Sequence, residues 1–404
     1  MMRVLFITPY IPSLIRVRPY NLLRTLCASG HQIHLVALQP PEDREASLAD
    51  LRELCERVDV FPLTRGRTLW NATLALPTTL PLQAAYSHHP EAERHLYRLV
   101  ESGRFDVVHV EHLRGAVLAQ RLRGIPRVFD SVDSITYLFE QASRFAPRFR
   151  QRLIARLDLG RTRHFEARAP LSFDRTLVTS PTDAHALRML IGDRSDGRIV
   201  VLPNGVDLDY FHPTSTTPDP ATILFSGKMS YHANSAAALF LAHEIMPRVW
   251  QRHPEARLVI AGKGPSPAVR DLGVDSRITV TGYVDDLRPH FARATIALSP
   301  LLYGAGIQNK VLEAMSSGVP VIATPQVCSA LRAQPGRDML IGDAAEQLAA
   351  HTLSLIDDPE RRNRIGASGR LYVERFHSWP EIVRSLTTVY EEACAMSPAT
   401  RVRP

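Results

Sequence analysis

The order of apolar and amphipathic segments constrains this chain more than any single residue. Short apolar runs over residues 3–8, 32–38, 58–61, 107–110, 127–130, 175–179 and 198–202 predict strands. Stretches with apolar residues at helical spacing, over 17–29, 46–57, 90–102, 113–122 and 144–168, fall between them. A second series follows. It has strands predicted at 223–226, 257–261, 278–281, 296–300 and 320–323, and helices at 233–252, 287–294, 310–317, 344–356 and across 360–393. Such alternation predicts parallel sheets covered on both faces. The Thr- and Pro-rich stretch 212–221 predicts a linker between the series. The expected fold class is therefore α/β, with two Rossmann-like, doubly wound domains facing a cleft. Ligands of such sheets bind at the carboxyl ends of the strands, and clefts between domains are favoured sites.

Composition narrows the partners. The formal net charge is +7, which favours anionic ligands. No aromatic-basic platform accompanies it, so nucleic acid is not expected as a partner. Cys27, Cys55, Cys328 and Cys394 form no CxxC pair, which predicts reduced thiols and a cytoplasmic protein. The apolar run 1–7 is followed at once by Pro9 and Pro12, so it reads as a first strand and not a signal peptide. No stretch reaches the roughly 18 apolar residues of a membrane span. Of the 48 basic residues only three are lysines, Lys228, Lys263 and Lys310. All three fall in loop-like contexts of the second series, where a compact ammonium can meet a phosphate. Chance survival of surface lysines is the competing explanation.

The segment most informative about chemistry runs from Tyr303 to Met315. A strand ends near Pro300, a small-residue loop Gly304-Ala305-Gly306-Ile307 follows, and a helix opens near Gln308 or Asn309. Small residues admit a close ligand, and a helix start offers free N–H groups and a positive dipole end. This predicts a diphosphate cradle, with Lys310 in the first turn and Glu313 one turn on, placed to accept from a ribose. A Gly-rich loop that merely caps a helix is the alternative. The first strand is followed by Thr8-Pro9-Tyr10-Ile11-Pro12 and not by G-x-G-x-x-G, which disfavours a nicotinamide enzyme.

This segment, with Gly318-Val319-Pro320-Val321 and the earlier Pro203-Asn204-Gly205-Val206-Asp207, resembles the family-4 retaining glycosyltransferases of the GT-B fold. The loop is similar to that of bacterial exopolysaccharide-type sugar transferases. The resemblance implies an acceptor domain over 1–200, a nucleotide-sugar donor domain over 201–375, and a crossover helix and tail over 376–404. It implies transfer of a hexosyl unit from a nucleotide diphosphate sugar to a hydroxyl of a glycan, lipid-linked sugar or natural product, with retention. It implies no cofactor and no bound metal. Donor-binding positions carried over are Asn204, Gly227, Gly262, Gly282, Tyr283, Gly306, Ile307, Gln308, Asn309, Val311 and Glu313, with Lys228 and Lys310 on the leaving diphosphate. The family's first loop glutamate, which contacts the donor sugar, falls on Ala305, a departure that bears on the sugar more than on the nucleotide.

In the first half, Asp106-Val107-Val108-His109 resembles a family strand end. His109, Asp130 and Asp133 are candidate catalytic groups, and Arg16, Arg18, Glu111 and His112 are candidate acceptor contacts. A carboxylate near cationic groups can orient or deprotonate a hydroxyl. A packed histidine and a solvated loop are the plainer readings of His109 and of Arg16 and Arg18. The arginines Arg144, Arg148, Arg152, Arg156, Arg161, Arg163 and Arg168 could lie on anionic lipid at the inner face of the cell membrane, or simply form a solvated helix face. Two rival functions are an inactive nucleotide-binding partner subunit, suggested by Ala305, and a nucleotide-sugar epimerase of the same fold.

Overall fold

Buried Val, Ile and Leu runs make two all-parallel sheets. The computed structural model describes residues 1–14, 16–43, 48–145, 149–195 and 197–396. One unit comprises Met1–Glu140, Ile154–Pro203 and Trp379–Pro404, the other Gln141–Leu153 and Asn204–Ser378.

The first unit holds β1 (Arg3–Thr8), β2 (Gln32–Gln39), β3 (Arg57–Pro62), β4 (Val107–Glu111), β5 (Arg127–Val132), β6 (Arg175–Val178) and β7 (Ile199–Val201), in the sheet order β3-β2-β1-β4-β5-β6-β7. Alternate residues face opposite sides of a strand. Val4 and Phe6 thus join Leu22, Leu26, Leu386 and Tyr390 in one core. Leu5 and Ile7 join Leu96, Leu113 and Ala116 in the other. Both faces are buried, as a parallel sheet requires.

The second unit holds β8 (Thr222–Ser226), β9 (Arg257–Ala261), β10 (Ile278–Gly282), β11 (Ile296–Ser299), β12 (Val321–Ala323) and β13 (Leu340–Ile341), in the order β10-β9-β8-β11-β12-β13. Each sheet reverses its winding once, between β1 and β4 and between β8 and β11. Such reversal points are where doubly wound sheets bind ligands.

Several boundaries differ from expectation. The chain leaves the first unit at Pro203, ahead of the predicted linker. Residues 204–211 are fastened to the second unit: Phe211 O accepts from Ser316 Oγ at 2.5 Å and from Arg370 Nη1 at 2.8 Å. The helix expected across 233–252 contains a wide turn at Leu241–Ile245 before Met246–Trp250, where Pro247 cannot donate an N–H. The helix expected across 360–393 is two, Pro359–Phe376 and Trp379–Met396, parted where His377 bonds to Asn204 O and Tyr372 Oη. The second of these packs in the first unit's core through Trp379, Leu386 and Tyr390. Helices Arg65–Ala75 and Pro181–Ile191 were not expected.

The Arg-rich stretch spans parts of helices Ile135–Phe145 and Phe149–Glu166. Arg148 and the side chain of Arg152 lie outside the described residues. Arg144, Arg156, Arg163 and Arg168 are exposed. Among the described residues no helix is long and apolar enough to cross a membrane.

Candidate active site

In the second unit, three loops at the carboxyl ends of β8, β9 and β10 stack by backbone bonds. Gly227 N donates to Ala261 O, Met229 N to Lys263 O and Gly262 N to Gly282 O, each at 2.9 Å. Gly227 and Gly262 have φ of +147° and +142°. A Cβ on Gly262 would stand 1.9 Å from Gly227 O, so no side chain fits there. A Cβ on Gly227 would stand 2.9 Å from Asn234 Nδ2 and 3.3 Å from Lys310 Nζ. The floor of the first loop is therefore bare backbone beside an amide and an ammonium. Lys228 is exposed on that loop. Tyr283, 63% exposed, follows Gly282, with Lys263 Nζ 5.9 Å from its ring centre.

Helix Asn309–Ser316 opens beyond β11, and the side chain of its N-cap residue Gln308 makes no capping bond. Its first N–H groups thus keep their pull on an anion. Gln326 Nε2 donates to Gly304 O at 2.7 Å and Gln308 Nε2 to Ala305 O at 3.4 Å, which fixes the preceding loop, including Gly306. Asn204 Nδ2 donates to Asn309 Oδ1 at 3.1 Å. Lys310 Nζ donates to Asn234 Oδ1 at 2.5 Å, and Asn234 Nδ2 donates to Lys228 O at 3.0 Å. Burial pushes the Lys310 ammonium down to about 7, against the opposing pull of Glu313. Burial likewise pushes Glu313 up to about 7, against the pull of Lys310. A cation so poorly solvated gains from an arriving anion. Ile307 and Val311 are 8% and 1% exposed, so both side chains pack in the interior beside the helix start.

The sequence reading overlooked two of these supports: Gln326, and the pairing of His232 with Tyr303. The rings of that pair stack at 5.4 Å, with Nδ1 2.7 Å from the phenol oxygen. A histidine opening one helix and a tyrosine ending a strand-loop carry no shared signal in the sequence.

The ends of β4 and β5 in the first unit gather the remaining candidates. Tyr10 Oη donates to Glu111 Oε1 at 2.8 Å. Glu111 is 1% exposed, and its Oε2 has no hydrogen-bond partner among the described residues. Burial, with the Asp130 charge adding, pushes Glu111 up to about 8. Arg16 lies over the Tyr10 ring at 4.3 Å and 4.0 Å from Asp43. His112 and Val132 take φ of +64° and +67° at the two strand ends. A β-branched residue in that region is an outlier of the kind that clusters at functional sites. Burial, with the charge of Asp183, pushes Asp133 up to about 7, and Asp133 Oδ1 accepts from Thr179 Oγ1 at 3.1 Å. Glu166, not singled out in the sequence, accepts from Ile135 N at 2.7 Å and Thr136 N at 2.9 Å, holding the start of the next helix.

Three candidates are corrected by this geometry. Asp130 is fully buried. Its Oδ2 takes Arg18 Nε at 2.8 Å and its Oδ1 takes Val132 N at 3.1 Å. Arg18, 5% exposed, also donates to Pro203 O at 3.2 Å. Through these bonds the pair holds the strand ends of the unit together. His109 is fully buried, stacked on Phe6 at 4.2 Å and bonded to Tyr390 Oη at 2.9 Å, and burial holds it down to about 4. It is a neutral core histidine.

Comparison with known proteins agrees with both halves. Residues 16–210 match the family described as Glycosyltransferase Family 4, and residues 220–358 match Glycosyl transferases group 1. Over 406 residues, and 93% of each chain, the protein is 27% identical to an MMP alpha-(1->4)-mannosyltransferase of Mycolicibacterium hassiacum. A second relative is a GDP-mannose-dependent monoacylated alpha-(1-6)-phosphatidylinositol monomannoside mannosyltransferase of Corynebacterium glutamicum. It is 27% identical over 213 residues, 47% of this chain and 55% of that enzyme, so the match spans about half of its length. Sucrose-phosphate synthase of Thermosynechococcus elongatus shares the fold at 18% identity, with a TM-score of 0.70 over 98% of this chain and 100% of that one.

Proposed function

Because this chain belongs to the family-4 glycosyltransferases of the GT-B fold, we propose that it moves a hexosyl unit from a nucleotide diphosphate sugar, held by the second unit, to a hydroxyl acceptor, held by the first. Both relatives named above are mannosyltransferases and one is GDP-mannose-dependent, which makes GDP-mannose the first donor to test.

One observation carries the donor assignment: a glycine floor with Lys310 Nζ 3.3 Å from where a Gly227 Cβ would stand, beside an uncapped helix start. A diphosphate there would meet bare backbone, the Lys310 ammonium, Lys228 on the same loop and the helix N–H groups. Charge developing on the leaving group is what such preorganised donors stabilise. Glu313 would take the ribose hydroxyls and Tyr283 would flank the base. Retention and independence of a resident metal or cofactor belong to this reading. So does a place in glycan assembly on the cytoplasmic side of a membrane, with peripheral contact through the exposed arginines. On the acceptor side, Glu111 and Asp133 are the groups able to exchange a proton near neutrality.

A thermal-shift series with GDP, UDP, dTDP and ADP tests the donor half. One diphosphate should stabilise the protein in proportion to log concentration. A flat response to all four would remove the donor assignment.

A further inference from the structure

We infer that the first unit carries a site for a zinc-class divalent ion, made by His34, Asp59 and His95, which pins a helix to the edge of the sheet. The ion is structural. It takes no part in transfer and leaves the metal independence proposed for that chemistry untouched.

The three side chains come from three elements. β3 is the edge strand of the sheet, beside β2. His34 on β2 pairs in register with Arg57, and Asp59 lies two positions further along β3. Alternate strand residues share a face. His34 and Asp59 therefore stand with Val36, Leu38 and Phe61, on the side packed against Ala92 and Leu96 of the helix Pro90–Glu101. His95 belongs to the same stripe of that helix, three residues after Ala92 and one before Leu96. A strand face under a helix ordinarily carries apolar groups. Here it carries two imidazoles and a carboxylate, with His34 7% exposed.

Both imidazoles converge on one oxygen. Asp59 Oδ2 is 2.8 Å from His34 Nε2 and 2.6 Å from His95 Nε2. The three candidate ligand atoms all lie within 4.8 Å of one another. Nitrogen and oxygen ligands of a tetrahedral zinc ion, each about 2.0–2.2 Å from it, stand roughly 3.3–3.6 Å apart. Small side-chain rotations would thus admit an ion between them. Two imidazole nitrogens and one carboxylate oxygen are a donor set of the zinc class, whereas calcium and magnesium take oxygen. The other carboxylate oxygen, Asp59 Oδ1, accepts from Arg57 Nε at 3.1 Å, an outer contact of the kind that orients a ligating carboxylate. Phe105 meets the His34 ring edge-on at 5.6 Å and Phe61 lies 5.4 Å from the His95 ring, which limits how far either imidazole can turn. The side chains of Asp59 and His95 are each 18% exposed, which leaves a path for entry and a position for water. Among the described residues no other trio of His, Cys, Asp and Glu brings its ligand atoms so close.

The trio is separate from the acceptor candidates. In the order β3-β2-β1-β4, Glu111 at the end of β4 lies three strands from Asp59. His109, two residues before Glu111, faces the opposite core and bonds to Tyr390 there.

The full chain, stripped with EDTA and desalted, tests this by calorimetric titration with zinc chloride. One saturable equivalent is expected, and Tm should rise with the logarithm of zinc concentration. Cobalt(II) in place of zinc should give the visible absorption of a four- or five-coordinate ion, and calcium should not compete. Loss of an outer contact costs a metal site roughly tenfold to a hundredfold, so loss of a ligand should cost about a hundredfold or more. His95→Gln and Asp59→Asn should each weaken zinc binding by that much. Asp59→Asn keeps a carbonyl oxygen to accept from an imidazole, so a role in hydrogen bonding alone would survive it. Tm in EDTA reports whether each variant folds, and either one suffices for the comparison. The proposal is overturned if wild type shows no saturable zinc binding, if a folded variant binds zinc as wild type does, or if calcium displaces the zinc.

Discussion

Lys310 is held by Asn234: the ammonium donates to the amide oxygen at 2.5 Å and sits 5.0 Å from the centre of the Phe225 ring. A neutral partner keeps the side chain in place without spending its charge. Lys310→Met should therefore weaken nucleotide diphosphate binding by roughly tenfold to a hundredfold, the worth of a charge-assisted contact. Calorimetric titration checks it, and an unchanged Kd would remove Lys310 from the site.

The same lysine makes binding pH-dependent. Its pKa is held down to about 7 by burial, and a bound diphosphate would raise it. Binding then takes up a proton, so affinity is full below pH 7 and declines as pH rises above 7. Lys310→Arg, always charged, should flatten that decline even where it binds less well.

Gly262→Ala places a methyl where Gly227 O stands, at a φ of +142°. The loops must part, at a cost of about 2–4 kcal/mol by overpacking and strain together. Urea denaturation should show the loss, and the nucleotide thermal shift should vanish with it. A variant as stable as wild type would mean that the two loops separate easily.

Asp130→Ala strips the partner from a buried Arg18, which typically costs about 3–5 kcal/mol. A Tm fall of many degrees is expected. A stable variant with only its turnover lost would restore Asp130 to a catalytic role.

Glu111 has a folded pKa of about 8, raised above its ordinary value of 4.5. The folded state thus binds more protons than the unfolded one between these limits, and stability falls as pH rises through that window, levelling off above 8. Glu111→Gln should remove on the order of 1–3 kcal/mol of that slope. Denaturant midpoints at pH 5, 6.5 and 8 measure it.

Both sheets were legible in the sequence apart from the two-residue edge strand Leu340–Ile341, because strands buried on two faces are written as continuous Val, Ile and Leu runs bounded by turn residues. The backbone geometry of the candidate donor loops was legible for a related reason: Gly227, Gly262, Gly304 and Gly306 have φ values that favour glycine. Less legible was anything decided by long-range pairing. Asp130 looked like an acid beside a substrate until Arg18, 112 positions away, was found to saturate it. The bond from Lys310 to Asn234, 76 positions before it, carries no signal in the sequence. The helix Arg65–Ala75 escaped notice because its apolar residues point outward, so no core-facing stripe announces it.

Trp379, Leu386 and Tyr390 complete the core around β1, although nearly the whole chain separates them from it. On the ribosome this fixes an order of events. The second unit, Asn204–Ser378 in its main part, emerges complete before the first can close. The amino-terminal sheet, though made first, has Leu22, Leu23 and Leu26 beside Val4, Phe6 and Leu35 but lacks Trp379, Leu386 and Tyr390 until the last helix is made. Domains usually mature in the order of their synthesis. Here the core of the earlier-made half is the last to receive all its members.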